Sequence, residues 1–516
     1  MLYEPPRPDR YLWDTWLLPV EREYHLFHMQ KVAGEVDSIE IGHAVSSDLV
    51  RWTALDPALR LGPSGAWDSV RFRTGTVVPH EGRYYMFYGA APDHIDRVGV
   101  ATSTDLLHWE RHPGSPIAQP DPRWYEHDHT TCPIGNVAWR DPCIRRDGDG
   151  WVMYLTARLK EGPTGGRGTI ATLRTRGALR GSGGNLEPAL LRWEVGPPLE
   201  VPPGFSVMEV PDVFELEGRW FLLHSTSHRM GTRFPTCDPG VTGGTFVLWA
   251  ERPEGPYSRP PRDVLVGSGA ERMTAYVCRT VESPLGRLAY YHNVYPHMNL
   301  PPAGRRGPRG SLALPKALAV DERGLKLRYL PLLEPYRGRA LLPPLSAAPP
   351  PPGRVPQGDW ELAADAVAGR VAYGTAAVVL EGEALDVLLT ARVTIQAGQA
   401  AGVGLRVGQH GRGLAVILDA RAGTIAVAEL AFASGGLAWR DLAARRVALR
   451  HGVTLPLRVV LLRDVVDVFL DEELLLSVVA EGYGVGRLAM IADDARVRFE
   501  RLHAWQLTVR SGDGAA

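Results

Sequence analysis

The sequence predicts an all-β fold, and three observations carry that expectation. Gly and Pro together are abundant, 56 and 43 of 516 residues, which argues for many turns and against long helices. Five short segments rich in aromatic and β-branched residues recur at intervals of about 60–70 residues, each directly after a tight turn. A second β-rich region follows a Pro-rich stretch and runs almost to the C-terminus. Together these predict a five-bladed β-propeller followed by a C-terminal β-sandwich.

The five segments are EYHLFHM (23–29), RYYMFYG (83–89), GWVMYLTAR (150–158), RWFLLHSTS (219–227) and RLAYYHNVY (287–295). The turns before them are PVERE, HEGR, DGDG, LEGR and SPLGR, so each segment reads as the second strand of a hairpin. Radial repetition of such units is one way for an all-β chain to protect its sheet edges. An internal repeat supports the count: GHAVSSDLVRW (42–52) and GVATSTDLLHW (99–109) lie 57 residues apart. In it Asp48 and Asp105 are expected to start turns, and Trp52 and Trp109 to pack between blades.

The stretch ALLPPLSAAPPPPGRVPQ (340–357) is Pro-rich and reads as a semi-rigid linker. Segments such as ALDVLLTARVTI, GLAVILDA and VVDVFLDEELLL beyond it alternate or run apolar between Gly- and Asp-bearing turns, as strands of a two-sheet sandwich do. The expected organisation is a propeller domain over 1–338, a linker over 339–357, a sandwich over 358–510 and a disordered tail over 511–516.

Net charge is −1, from 57 basic and 58 acidic residues, without a basic block. Nucleic acid and membrane surfaces are therefore not expected partners. Lys occurs at only four positions (31, 160, 316 and 326), which reads as a coding bias towards Arg. The four Cys form no CxxC pair and are expected to be buried hydrophobes. No metal and no cofactor are expected; the HDH run at 127–129 is too sparse a ligand set. The N-terminus MLYEPPRPDR lacks the apolar core of an export signal, so the expected location is the cytoplasm, as a monomer or homodimer.

Counting back about ten residues from each aromatic segment reaches the expected innermost strands. The positions are Asp14, Thr74, Asp141, Glu209 and, roughly, Cys278. Three of the five are carboxylates. Like charges gathered in one cavity cost energy, so their convergence points to chemistry.

Their contexts carry a family resemblance. WDTW (13–16) precedes YHLF, WRDP (139–142) holds the second acid, and MEVPDVF (208–214) holds the third. With RTGTVV and RGSLALPKAL (309–318), these segments resemble glycoside hydrolase family 32, the invertases, inulinases and levanases. The resemblance covers nearly the whole chain and implies a fructose-releasing retaining glycosidase. By motif, Asp14 is the nucleophile, expected to be ionised, Glu209 the general acid/base and Asp141 the transition-state stabiliser. Asp212 reads as the motif's structural continuation. The first motif departs from the family's WMNDPNG-like form and is closer to the WDSW of family 68, the levansucrases.

Trp13, Trp16 and Trp67 are candidates for stacking on sugar C–H faces. Arg73 and Thr74 match a sugar-contacting segment of the family, and Arg140 offsets the charge of Asp141 and can donate to hydroxyls. The expected substrate is sucrose, a fructo-oligosaccharide or fructan. The alternatives are fructosyl transfer on the same fold, hydrolysis of another furanoside such as an arabinofuranoside, and a non-catalytic carbohydrate-binding propeller.

Overall fold

The structure is a computed structural model. It describes all residues except 1, 8, 33–36, 176–188, 234–235, 239, 269–272, 296–309, 344, 348–357, 409, 434–435 and 510–516. Among the described residues there are 33 strands and four short 3₁₀ turns, with no α-helix. The chain divides into two compact units, one of residues 3–325 and one from Lys326 onward.

The first unit is built from five successive antiparallel four-stranded modules. They are β1 (Arg10–Val20), β2 (Glu23–Val32), β3 (Ser38–Ser46) and β4 (Thr53–Arg60); β5 (Phe72–His80), β6 (Arg83–Ala90), β7 (Arg97–Ser103) and β8 (Glu110–Arg111); β9 (Arg140–Asp147), β10 (Gly150–Arg158), β11 (Gly168–Thr175) and β12 (Trp193–Val195); β13 (Glu209–Leu216), β14 (Arg219–Ser227), β15 (Gly243–Ala250) and β16 (Val264–Ser268); and β17 (Ala275–Ser283), β18 (Gly286–Asn293), β19 (Ser311–Leu312) and β20 (Lys316–Asp321). Each expected aromatic segment is the second strand of its module. The first strands neighbour one another in cyclic order: β1 meets β5, β5 meets β9, β9 meets β13, β13 meets β17, and β17 meets β1.

Apolar cores lie between consecutive modules. Trp16, Phe27 and Met29 pack with Phe72, Met86 and Tyr88. Phe87, Val98 and Val100 pack with Trp151, Met153 and Leu155, and Val152, Tyr154 and Ile170 with Val213, Leu222 and Phe246. Burying side chains of this size stabilises each junction by about 1.5–3 kcal/mol per residue.

The 57-residue repeat has a packing reason. A Cβ on Gly42 would stand 2.3 Å from the His28 ring, and one on Gly99 would stand 2.2 Å from the Trp67 ring. Downstream, Ser46 and Asp48 accept the backbone N–H groups of Leu49, Val50 and Arg51, and Ser103 and Asp105 repeat the pattern. These bonds hold Leu49 and Leu106 at φ of 64° and 65°. Trp109 packs edge-on against Phe27 of the preceding module, with ring centres 5.9 Å apart.

One irregularity recurs in all five first strands. The register slips between Leu12 and Thr15, between Phe72 and Gly75, opposite Tyr154 and Thr156 (at Asp141), between Glu209 and Asp212, and between Tyr276 and Arg279. Asp141, Val210 and Val277 take positive φ there, at 60°, 50° and 53°. A β-bulge inserts one extra residue and re-aims the side chains beside it.

The second unit carries twelve further strands, from β22 (Arg337–Leu342) to β33 (Gly486–Leu507). Its long strand Val387–Val407 pairs along its length with β33, and the inward-facing Leu389, Ala391, Val393 and Ile395 lie in one apolar core with Val459, Val468 and Phe499. The division falls before residue 338 because β22 pairs with β33, Arg337 opposite Leu507 and Leu342 opposite Ala504. Residues 339–342 of the expected linker are thus strand. The rest of its Pro run, 348–357, and the tail expected to be disordered lie outside the described residues.

Cys132, Cys143 and Cys278 are buried, but Cys237 is exposed. It lies in a loop where its own backbone N–H bonds Asp263, so its side chain fills no core position.

Candidate active site

The bulges of β1, β5, β9, β13 and β17 bring the candidate acids together. On β1, Asp14 is buried and accepts a hydrogen bond from Thr74 Oγ1 on β5 at 2.5 Å. Its other oxygen, Oδ1, is buried without a protein partner. On β9, Asp141 Oδ2 accepts from Thr156 Oγ1 at 2.8 Å and from the backbone N–H of Val210 at 3.2 Å. On β13, Glu209 accepts from Arg140 Nη2 through Oε1 at 2.7 Å and from Tyr276 OH through Oε2 at 2.8 Å. Glu209 keeps 20% of its side chain exposed, which leaves room for a ligand against it.

Arg140 is the hub. Besides Glu209 it donates to Asp96 Oδ2 at 2.8 Å, and its Nε lies 3.4 Å from Asp141. Asp96 is fully buried and also takes Arg73 Nε at 3.0 Å and Asn136 Nδ2 at 3.2 Å. Burial opposes its charge, but Arg73 and Arg140 outweigh burial and hold the Asp96 carboxyl below its ordinary range. Charge on Arg140 is reinforced in turn by Asp96, Asp141 and Glu209 against burial.

The sequence-based expectation of an ionised Asp14 is modified by the surroundings. Burial, and then the charge of Asp141, push its carboxyl up to about 7; the Thr74 hydrogen bond and Lys31 act in the other direction, and Glu209 adds to the rise. Burial also raises Asp141, with Arg140 opposing.

The remaining candidates fall into two environments. Trp13 stands beside Asp14, its ring 4.7 Å from that of His292 and 4.4 Å from Lys31 Nζ. Arg73 and Thr74 flank the acids through Asp96 and Asp14. Trp16 instead is buried in the core, against Phe27 and beneath Gly75. Trp67 packs on Tyr88 at 5.2 Å and on Gly99. Asp212 accepts from the Thr280 backbone and hydroxyl at 2.6 and 2.7 Å, tying β13 to β17. At the fifth position Tyr276, not Cys278, reaches the site; Cys278 is buried and its backbone N–H bonds Thr245.

Sequence reasoning missed Tyr276, Asp96 and Lys31. Tyr276 lies 67 residues after Glu209, so the module spacing alone points to its neighbourhood. Lys31, one of only four lysines, is the penultimate residue of β2 and is buried there, and its rarity is a usable signal. Asp96 sits in a loop with no motif. In the HDH run, Asp128 accepts from Thr130 and His129 stacks on His94; among the described residues no group of three or more His, Cys, Asp and Glu is arranged to hold a metal ion.

Residues 16–170 match the glycosyl hydrolases family 32 N-terminal domain. A β-fructofuranosidase of Arabidopsis thaliana, insoluble isoenzyme CWINV5, is 28% identical over 37% of this chain and 31% of its own length. A sucrose-6-phosphate hydrolase of Zymomonas mobilis is 28% identical over 39% of this chain and 38% of its own. The chain thus spans about a third of the length of these curated relatives. Solved structures match almost end to end. The Bombyx mori GH32 β-fructofuranosidase BmSUC1 has a TM-score of 0.64 at 16% identity, over 98% of this chain and 95% of that one. Fructan 1-exohydrolase IIa from Cichorium intybus has 0.65 at 15%, over 99% and 97%. At such identities the likeness is one of fold.

Proposed function

We propose that this chain, whose residues 16–170 match the glycosyl hydrolases family 32 N-terminal domain, is a retaining hydrolase of that family releasing fructose from sucrose, fructo-oligosaccharides or fructan. In this reading residues 3–325 form a five-bladed β-propeller, supported by the cyclic order of the five first strands, and the second unit is a β-sandwich.

One observation carries the chemistry: the register slips of three first strands bring in Asp14, Asp141 and Glu209, with Asp141 and Glu209 sharing the Arg140 guanidinium and Asp14 held by the Thr74 hydroxyl. Asp14 attacks the anomeric carbon of the fructosyl unit, and the bond to the leaving oxygen breaks as Glu209 passes its proton to that oxygen. The ionised Glu209 then takes a proton from water, whose oxygen attacks the same carbon and releases Asp14. Asp141 and Arg140 hold ring hydroxyls where positive charge develops. Tyr276 orients Glu209, and Thr74 orients Asp14.

The test is fructose release from sucrose, inulin and levan by Asp14→Ala and Glu209→Ala. Turnover near wild type in a folded variant sinks the mechanism. A second reading, fructosyl transfer, rests on the Trp13–Trp16 run; products at high sucrose decide it, since glucose and fructose in equal amounts exclude transfer.

A further inference from the structure

Arg73, Arg140 and Lys31 stand among the candidate acids, and they are not equivalent. Arg73 and Arg140 are tied to Asp96, and Arg140 to Glu209 as well. Lys31 has no such anchor. It lies opposite Tyr11 in the β1–β2 register, just before the slip that carries Trp13 and Asp14. Met29, two residues earlier on β2, receives the Thr74 hydroxyl at 3.8 Å, the same hydroxyl that bonds Asp14. Alternate residues of a strand share a face, so Met29 and Lys31 both look towards Asp14. The ammonium sits 4.4 Å from the centre of the Trp13 ring, and the residue as a whole is 9% exposed. Burying an ammonium without an acceptor costs free energy, and a cation–π contact recovers only a small part of it. The arrangement therefore requires a nearby negative charge.

We propose that Lys31 is a positioning residue for Asp14: its ammonium, seated over the Trp13 ring on the Asp14 side of β2, supplies the positive charge that keeps this buried carboxylate ionised and aimed for attack. The inference rests on the hydrolase reading for its catalytic meaning, but not for the place of the ammonium over Trp13. The groups acting on Asp14 are Thr74 on β5, Asp141 on β9 and Glu209 on β13, with Lys31 on β2. Tyr276 on β17 is itself influenced by Asp14. Lys31 is acted on by Asp14, Arg73, Asp37 and Glu209, in that order after burial, and it bears on the buried His292 of β18. Among the influences on Asp14, Lys31 is the cation; Asp141 and Glu209 raise its carboxyl, and Thr74 lowers it as a neutral donor.

The test is the titration of Asp14 itself, followed by carboxyl ¹³C NMR with Asp14→Asn identifying the signal. In Lys31→Met the midpoint is expected to rise by about one pH unit or more, the effect of losing an adjacent opposite charge. Lys31→Arg keeps the charge and is expected to stay near wild type. Lys31→Gln serves if the Met variant does not fold. The acidic limb of kcat/KM on sucrose or inulin should move upward with the same midpoint. A folded Lys31→Met or Lys31→Gln whose Asp14 midpoint is unmoved, with turnover lowered evenly at every pH, overturns the proposal. A wild-type chain that splits no furanoside while its Asp14 midpoint still depends on Lys31 refutes the hydrolase reading and leaves the positioning role standing.

Discussion

Arg140 Nη2 lies 2.7 Å from Glu209 Oε1 while Nη1 of the same guanidinium lies 2.8 Å from the buried Asp96. The fork thus holds a candidate catalytic carboxylate against a fixed anion that faces no solvent. Lys cannot reproduce two such bonds from one planar group. Arg140→Lys is expected to lower kcat by about 100-fold, comparable to losing one preorganised donor. Steady-state kinetics on sucrose check this.

Asp96 makes the complementary case. Its removal leaves Arg73 and Arg140 without their shared counter-charge. Asp96→Asn should destabilise the fold by about 3–5 kcal/mol, the usual cost of breaking one side of a buried ion pair. Chemical denaturation of wild type and variant measures it, and a loss below about 1 kcal/mol contradicts the role assigned to Asp96.

Tyr276 donates to the second oxygen of Glu209. Tyr276→Phe keeps the ring and removes the donor. The expected result is a kcat about tenfold lower, with KM within about threefold, because the bond orients a reacting group and does not hold ground-state substrate. A change confined to KM would place Tyr276 in substrate binding instead.

Asp14 has a consequence for stability as well as rate. Its carboxyl is raised in the fold from an ordinary 3.8 to about 7, so the unfolded chain loses that proton first. Stability is therefore undiminished below about pH 4 and falls as pH rises from there to about 7, beyond which the loss is constant. Asp14→Asn stays neutral and should gain stability over wild type through that window, by a few kcal/mol in order of magnitude. Thermal unfolding at pH 4.5 and 8 tests the sign. In the wild type, kcat/KM should fall as pH drops through about 7.

Trp13 and Trp16 separate site from core. Trp16 is buried between modules, and Trp16→Ala should cost about 3–5 kcal/mol of stability. Trp13→Ala should change KM and the pH profile more than the unfolding midpoint, since its ring stands beside Asp14 and under Lys31. Parallel denaturation and kinetic measurements distinguish the two.

Much of this architecture was legible because hairpin chemistry is local. The aromatic second strands and the turns before them mark every module, and WDTW, WRDP and MEVPDVF flag the acids. The bulges were not legible, since a one-residue slip leaves no composition signature and Asp141, Val210 and Val277 adopt positive φ without being glycine. Asp96 and Tyr276 were missed because their contributions exist only once different modules close on one another. The division at residue 325 was missed for a similar reason: the partner of Arg337 is Leu507, 170 residues away.

The five matching bulges also describe a mounting plate. A one-residue slip recurs in all five first strands, and the side chain carried at each is a separate choice. The slips of β1 and β9 hold Asp14 and Asp141, that of β5 holds the Thr74 hydroxyl, and those of β13 and β17 lie beside Glu209 and the Tyr276 phenol. Reactivity can thus be rewritten one slip at a time, with the strands between them left as they are.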